Sequence, residues 1–203
     1  MSKTAAFSPA CERNRKPILN ELKTIVRPED RILLEIGSGT GQHAAYMAPQ
    51  LTNIFWYPTD MEDKIAGIEQ WRQEANCERI QTSQVFRVGE SNWPLQSDQA
   101  DMVFTANTFH IMPADLVAQL IQQAGENMHK GSRFVVYGPF KYGGDFTSES
   151  NREFDRQLKA TAEHQGIRDF EWIDGLFQQA GFRCLKDVSM PANNQLLAYV
   201  KTS

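Results

Sequence analysis

The sequence has few cysteines and no long apolar run, and each absence excludes a class of protein. Its three cysteines, Cys11, Cys77 and Cys184, lie far apart and form no C-x-x-C pair. This predicts a reduced protein without a disulfide framework or a cysteine metal site. No apolar run approaches the ~20 residues of a membrane span, and the N-terminus lacks the apolar core of a signal peptide. We therefore expect a cytoplasmic protein.

The sequence also lacks a strong excess of either charge. The formal net charge is −4 at pH 7, so no basic field favours nucleic acid or an anionic membrane as a partner. Hydrophobic residues make up 41% and charged residues 23% of the 203 positions, which is ordinary for a globular protein. We see no internal repeat, low-complexity tract or linker, and the length suits one domain over residues 1–203. The oligomeric state stays open.

The most informative stretch is a short apolar run that ends in alternating glycines. Residues 32–36 have the pattern of a buried parallel strand, and the glycine-rich residues 37–41 follow directly, before a helical pattern. Strand, glycine loop and helix form the first crossover of a doubly wound sheet, where a nucleotide-like ligand lies against the carboxyl end of the strand. The candidate cofactor-binding residues here are Glu35, Gly37, Ser38, Gly39, Thr40 and Gly41.

Details of this loop distinguish between possible ligands. The dinucleotide fingerprint is G-x-G-x-x-G, whereas Gln42 stands where its third glycine belongs. A carboxylate at Glu35 would repel a pyrophosphate but would favour a ligand that carries an ammonium group. The stretch therefore resembles the first motif of the class I S-adenosylmethionine (SAM) methyltransferases. An NAD site and a glycine-rich turn without a ligand are the alternatives.

Acidic residues after the next two strands are candidates to bind the nucleoside part of this ligand. Asp60 follows a predicted strand over residues 54–57, near the spacing at which a carboxylate meets ribose hydroxyls; a helix N-cap is the alternative. A third strand is predicted over residues 84–88. Glu90 is the candidate for the adenine amino group, unless Arg87 takes that position.

Candidates for chemistry follow the fourth strand, which is predicted over residues 101–107. Asn107 ends this strand and is a candidate cofactor-binding residue, because the ligand crosses the strand's carboxyl end in this topology. His110 follows closely, and its imidazole can take a proton near neutral pH. We predict His110 as the catalytic base and as a substrate-binding residue; a structural histidine is the alternative.

A long polar insertion over residues 139–166 follows the fifth strand. Such insertions at the ligand end of a sheet are usually functional, and the aromatic residues of this one suggest an acceptor pocket or lid. Tyr142 and Glu149 are candidates to orient the acceptor. The alternative is a plain surface loop before a helix from Ser150 to about Glu163.

The start of the chain, residues 1–30, is predicted to be a polar arm followed by a helix. Asn14 is predicted to cap this helix, with Pro17 in its first turn. The polar segment around Asn14 precedes the first strand, so it can fold over the ligand. Arg13 and Asn14 are therefore candidate substrate-binding residues; a solvated helix start is the alternative.

Two strands joined by a short turn close the chain, over residues 182–188 and 195–200. They predict a hairpin, so the last strand runs antiparallel to its neighbour. The expected fold class is α/β and Rossmann-like, with a mostly parallel seven-stranded sheet and a C-terminal antiparallel hairpin. This is the layout of class I methyltransferases, and a nicotinamide Rossmann domain lacks the hairpin.

Distinctive sequence blocks carry a narrower resemblance. They cover residues 8–14, 105–112, 137–141, 146–151 and 190–194. Together they resemble the DUF938 family of methyltransferase-like proteins, from about residue 7 to residue 201. The resemblance implies a SAM-dependent methyltransferase fold. We expect SAM as the cofactor, a small molecule as the partner and methyl acceptor, and no metal. A non-catalytic SAM-binding sensor or partner subunit is the function of another class that stays open.

Overall fold

The fold is built on a seven-stranded sheet, whose middle strands are the apolar runs of the sequence. The computed structural model describes residues 6–203. The strands are β1 (Ile32–Ile36), β2 (Phe55–Asp60), β3 (Gln84–Val85), β4 (Met102–Ala106), β5 (Arg133–Gly138), β6 (Phe140–Tyr142), β7 (Asp145–Phe146), β8 (Arg168–Asp169), β9 (Phe182–Met190) and β10 (Asn194–Lys201). Within this part of the chain, the large sheet has the order β3-β2-β1-β4-β5-β10-β9 and a small sheet the order β7-β6-β8.

The order of the large sheet places a crevice beside β1. β1 pairs in parallel with β2 on one side and with β4 on the other, so the chain first builds outward to β3 and then crosses back. Such a reversal leaves a crevice at the carboxyl ends of the strands, where ligands bind. β10 runs antiparallel to both β5 and β9. The predicted Rossmann-like sheet with its C-terminal antiparallel hairpin is confirmed.

Helices cover both faces of this sheet. They are α1 (Pro9–Ile25), α2 (Gln42–Met47), α3 (Glu62–Ala75), α4 (Ala114–Asn127), α5 (Glu149–Thr161) and α6 (Phe170–Gln179). α1 contributes Ile18 to one apolar cluster with Leu33, whereas α6 contributes Phe177 to a second cluster with Leu34. Leu33 and Leu34 are neighbours in β1 that point to opposite faces. Because both faces are covered, β1 reads as a continuous apolar run.

Helix α1 begins earlier than the sequence analysis predicts, and the cap at Asn14 is wrong. The helix starts at Pro9, and the Ser8 hydroxyl oxygen accepts a hydrogen bond of 3.3 Å from the Cys11 backbone N–H. Serine as cap and proline as the first helical residue are a favourable pair. Pro17 lies inside the helix. Asn14 is consequently an interior, buried residue rather than a cap.

Two other boundaries differ from the sequence predictions. β3 ends at Val85 rather than at residue 88, because residues 87–91 turn back on themselves: the Ser91 N–H donates to the Arg87 carbonyl at 2.8 Å. The segment after β5 is not a loop throughout. It contains the short antiparallel pair of β6 and β7 and then α5.

Candidate functional site

The glycine loop occupies the carboxyl end of β1. Gly37, Gly39 and Gly41 all have left-handed backbones, with φ of +70°, +59° and +87°. A Cβ on Gly37 would lie 2.6 Å from the Thr108 side chain, and one on Gly41 would lie 3.0 Å from the Ile68 backbone. A Cβ on Gly39 would meet no atom within 4 Å. Gly37 and Gly41 thus permit close packing, while Gly39 faces open space.

Asp60 ends β2 beside this open space. One carboxylate oxygen accepts a hydrogen bond of 2.7 Å from the Gly39 N–H, and the other accepts one of 2.7 Å from the Met61 N–H. Burial raises the Asp60 pKa, and these backbone donors act in the opposite direction. The structure therefore brings together the glycine and the acid that the sequence nominates 21 positions apart.

The hydroxyl residues between the glycines hold the loop in shape. The Ser38 hydroxyl accepts a hydrogen bond of 3.2 Å from the Thr59 N–H, and the Ser38 N–H donates to the Thr59 carbonyl at 3.0 Å. The Thr40 hydroxyl donates to the Gln42 side chain at 3.0 Å. These contacts fix the backbone of the loop against β2 and the start of α2.

Glu35 lies beneath the loop and is 1% exposed. Its carboxylate accepts a hydrogen bond of 2.8 Å from the Trp56 indole, and its other oxygen is 3.8 Å from Nδ1 of His43. Burial raises the Glu35 pKa to about 7, against the hydrogen bonds of Trp56 and Ser38. A positive charge bound above the loop would favour the ionised form of this carboxyl.

His43 and Asn14 extend this buried group into α1, a connection that the sequence analysis missed. Nε2 of His43 is 2.8 Å from the amide oxygen of Asn14, which makes this nitrogen the donor. Burial lowers the His43 pKa to about 4, so the ring is neutral near pH 7. No local pattern indicates this contact, because it depends on where α1 begins.

The segment before α1 is fastened across the glycine loop. The Ser8 N–H donates to the side-chain oxygen of Gln42, and the Trp71 indole donates to the Ala6 carbonyl at 2.8 Å. Gln42 is 1% exposed, and its amide nitrogen has no partner within residues 6–203. Gln42, which stands where the dinucleotide fingerprint has its third glycine, thus joins the glycine loop to the start of α1.

Asn107 and His110 follow β4 on the other side of the crevice. Asn107 has a left-handed backbone, with φ of +60°, which is strained for a residue with a side chain. Nδ1 of His110 would lie 3.6 Å from a Cβ on Gly138, and its ring meets the edge of Phe154 at 5.4 Å. Burial lowers the His110 pKa to about 4, with a smaller contribution from the Arg168 charge. The imidazole is therefore neutral near pH 7.

A group of neutral polar side chains surrounds the end of β5. The buried Tyr137 hydroxyl hydrogen-bonds with the side chains of Asn14 and Asn194. Burial raises the Tyr137 pKa, whereas the nearby charge of Arg13 lowers it. Tyr137 and Asn194 were not nominated from the sequence, although both belong to the blocks that resemble the DUF938 family. Asn14 therefore links the glycine-loop side of the site to the β5 side.

The start of α5 is attached to the turn between β9 and β10. The Asn151 amide nitrogen donates to the Asn193 carbonyl at 2.9 Å, and the Asn193 amide nitrogen donates to the Ser150 hydroxyl at 3.0 Å. Asn193 has a left-handed backbone with φ of +56°. Phe154 of the same helix contacts His110, so α5 joins the β9–β10 turn to the segment that follows β4.

Three of the site residues predicted from the sequence take no part in the contacts described above. The Tyr142 hydroxyl donates to the carboxylate of Asp187 at 2.9 Å, which engages it at the β9 edge. Glu149 is exposed and forms an ion pair of 3.1 Å with Arg152. Glu90 is exposed beyond β3, and its side chain makes no hydrogen bond or ion pair within residues 6–203. The structure does not bring these side chains into contact with His110.

No helix in residues 6–203 combines the length and the apolar character needed to cross a bilayer. In the same range, no group of three or more histidine, cysteine, aspartate and glutamate residues is arranged to hold a metal ion.

Solved structures with this fold include several methyltransferases. A putative O-methyltransferase from Nostoc punctiforme matches with a TM-score of 0.81 and 18% identity, over 95% of this chain and 57% of that one. The SAM-dependent methyltransferase SibL in its apo form matches at 0.79 and 15%, over 96% and 56%. Human N-acetylserotonin methyltransferase in complex with SAM matches at 0.77 and 15%, over 96% and 53%. The chain thus spans little more than half the length of these proteins.

A family model described as "Protein of unknown function (DUF938)" matches residues 5–201, nearly the whole chain. The blocks that indicate this family lie at the start of α1, at the ends of β4 and β5, at the start of α5 and in the β9–β10 turn. The chain belongs to the DUF938 family, and its fold is that of the class I SAM-dependent methyltransferases.

Proposed function

We propose that the protein binds SAM and transfers its methyl group to a small-molecule acceptor. The observation that carries this proposal is the contact between Gly39 and Asp60 beside open space at the carboxyl end of β1. A side chain at Gly39 would stand in that space, so the loop is shaped for a ligand rather than for packing. The methyltransferase fold of the chain supports the choice of SAM over a dinucleotide.

Residues of the glycine loop and of the neighbouring strands would contact different parts of this cofactor. Gly37 to Gly41 would line its methionine and ribose portions through their backbone. The free lone pairs of Asp60 would accept hydrogen bonds from the ribose hydroxyls. Glu35 would stabilise the cationic end from beneath the loop through its charge. Asn107 would contact the cofactor from β4, and Glu90 is our proposal for the adenine amino group.

The bound cofactor would supply an electrophilic methyl carbon on a sulfonium. Transfer to an acceptor oxygen or nitrogen needs close alignment and loss of a proton from the acceptor. Neutral His110 can take that proton, because its ring nitrogens make no hydrogen bond within the described residues 6–203. Burial against Phe154 would keep water away from the reacting atoms.

We also propose a domain organisation, a cellular location and a kind of partner for the protein. Residues 1–203 would form one methyltransferase domain, in which 1–30 supply an arm and helix and 139–166 supply the acceptor side. Tyr142 and Glu149 have other partners here, so a role for either on the acceptor would require a rearrangement. We propose a cytoplasmic protein whose partner is a small molecule, because a net charge of −4 favours neither nucleic acid nor an anionic membrane.

A non-catalytic SAM-binding protein is the second candidate function. His110 is 6% exposed, and Phe154 covers its ring, which leaves little room for an acceptor in this conformation. Incubation with labelled SAM and small-molecule libraries distinguishes the candidates. Label that moves to an acceptor supports the enzyme. Binding of SAM without transfer to any library member would favour the sensor or partner subunit.

A further inference from the structure

Glu35 is a buried acid without a lysine or arginine partner. It is 1% exposed, and no lysine or arginine of residues 6–203 forms an ion pair with it. The other two buried acids in this range do have such partners: Asp30 pairs with Arg133, and Asp155 pairs with Lys159. The absence of a cation is therefore particular to Glu35 and does not follow from burial alone.

The groups that face Glu35 from β2, the glycine loop and α1 do not provide a positive charge. The Trp56 indole donates to one carboxyl oxygen at 2.8 Å, and the Ser38 hydroxyl also hydrogen-bonds with this side chain. Asp60 at the end of β2 and the Cys11 thiol on α1 interact with it electrostatically. An ionised Glu35 would thus be a buried charge without compensation, which is unfavourable.

His43 of α2 does not provide the missing cation either, because Asn14 fixes its hydrogen bonding. Nε2 of His43 is 2.8 Å from the amide oxygen of Asn14, which can only accept, so Nε2 carries the ring proton. In the neutral ring Nδ1 then has a lone pair, and this atom lies 3.8 Å from the Glu35 carboxyl. The ring packs against Phe104 of β4, and burial lowers the His43 pKa to about 4. A lone pair beside Glu35 disfavours the ionised carboxylate and favours the protonated acid.

We propose that Asn14 and His43 keep Glu35 protonated in the free protein, and that binding of SAM releases this proton to solvent. The inference rests on the proposed function. SAM carries an ammonium and a sulfonium group, and a positive charge above the glycine loop stabilises the carboxylate. The O–H bond of the carboxyl breaks, its electron pair stays on the oxygen, and the proton leaves. The buried negative charge therefore forms only when the charge of the cofactor balances it.

Titration calorimetry of the full chain with SAM, in two buffers of different ionisation enthalpy, measures the proton released. At pH 6 we expect about nine-tenths of a proton per SAM, because a Glu35 pKa of about 7 leaves the carboxyl mostly protonated. SAM affinity should rise roughly fivefold to tenfold from pH 5.5 to 6.5. The comparison probe is 5′-methylthioadenosine, which lacks both cationic groups and should release no proton.

Variants assign the proton to Glu35 and test the role of Asn14. Glu35→Gln should abolish the release, because an amide does not titrate in this range. Asn14→Ala should reduce it, since His43 can then carry its proton on Nδ1 and donate toward the carboxylate. His129→Gln is the matched control: His129 also lies beside a carboxylate, 3.3 Å from Asp101, but before β4 and away from the glycine loop. It should release the proton like the wild type.

Carbon-13 NMR of the glutamate carboxyl groups gives a readout in the wild type that depends on no variant. We expect one carboxyl to titrate near pH 7 in the free protein and to stay ionised between pH 5.5 and 7.5 when SAM is bound.

SAM binding without proton release, equal release with 5′-methylthioadenosine, or full release from Glu35→Gln would overturn the inference. Full release from Asn14→Ala would overturn the role of Asn14 and His43. The failure of the proposed function looks different, because the wild type would then give no binding heat with SAM in either buffer. Binding of SAM without a proton refutes only the role of Glu35 as a proton donor and leaves the methyltransferase proposal in place.

Discussion

The two sides of the crevice are built in different ways. On the β1–β2 side, the glycine loop and Asp60 form the site from backbone N–H groups and one carboxylate, within a short stretch of chain. On the β4–β5 side, side chains from α1, β5, β10 and α5 meet around Tyr137 and His110. The first side is the cofactor site that we propose. The second is assembled from distant segments, which is where acceptor specificity can differ between proteins with the same fold.

We expect the largest effect from a side chain at Gly39, on the β1–β2 side. Gly39→Val should abolish SAM binding while the protein stays folded, because the side chain enters the open space and a β-branched residue resists a positive φ. Gly143→Val is the matched control, since Gly143 has φ of +57° and also faces open space, but in the β6–β7 turn. It should keep SAM affinity by calorimetry. If Gly39→Val bound SAM like the control, the loop would be only a structural turn.

Removal of the His110 imidazole should affect the acceptor side alone. We expect His110→Ala to lower turnover by roughly a hundredfold or more, which is the usual size of a general-base contribution. Its SAM affinity should equal that of the wild type, because the glycine loop and Asp60 are untouched. At saturating SAM, the wild-type rate should fall at acidic pH near 4, since His110 has a pKa of about 4.

The turnover measurements require a known acceptor. His164→Ala is the control variant, because His164 is an exposed histidine. Full turnover in His110→Ala would make this residue structural. Loss of SAM affinity instead would place it against the cofactor.

His110 and Glu35 should make contributions of opposite sign to the pH dependence of stability. His110 takes up a proton near pH 6.5 when unfolded but near 4 when folded, so it contributes stability that rises with pH across that window. Glu35 has a folded pKa of about 7, so its contribution falls between about pH 4.5 and 7. For one proton, each slope is at most about 1.4 kcal/mol per pH unit.

Urea unfolding between pH 5 and 6 checks these slopes. Relative to the wild type, His110→Gln should reduce the rise of the unfolding free energy with pH. Glu35→Gln should make that rise steeper. A change of the same sign in both variants would contradict the assignment of one buried neutral base and one buried protonated acid.

The smallest effect is expected at Tyr142. Tyr142→Phe removes a hydrogen bond to the Asp187 carboxylate, which costs about 1 kcal/mol of stability, and it should leave turnover unchanged. Thermal unfolding and a methyl-transfer assay provide the two readouts. A large loss of turnover at wild-type stability would show that Tyr142 leaves Asp187 to orient the acceptor, as its position in the sequence suggests.

Sequence reasoning reached the fold because the strands carry local signals. β1, β4 and β5 are buried on both faces and therefore read as apolar runs, and the hairpin of β9 and β10 is visible from its short turn. Asp60 was found because its distance from the glycine loop follows from the length of one helix and strand. These features depend on neighbouring residues, which is what a sequence pattern records.

The acceptor side was less accessible to the same reasoning. Asn14 and His43 are 29 positions apart, and their contact exists only because Ser8 and Pro9 start α1 early. Tyr137 lies in a buried strand, where an aromatic residue reads as core. The neutral state of His110 follows from burial by α5, which no local pattern indicates.

Titration calorimetry with SAM and NADH tests the central claim most directly. We predict that the wild type binds SAM and not NADH. Asp60→Ala should weaken SAM binding by about 1.5–3 kcal/mol, the worth of one charge-assisted contact. Asp63→Ala should not, because Asp63 is exposed and pairs with Lys64. Tight binding of NADH with no heat from SAM would contradict the methyltransferase account.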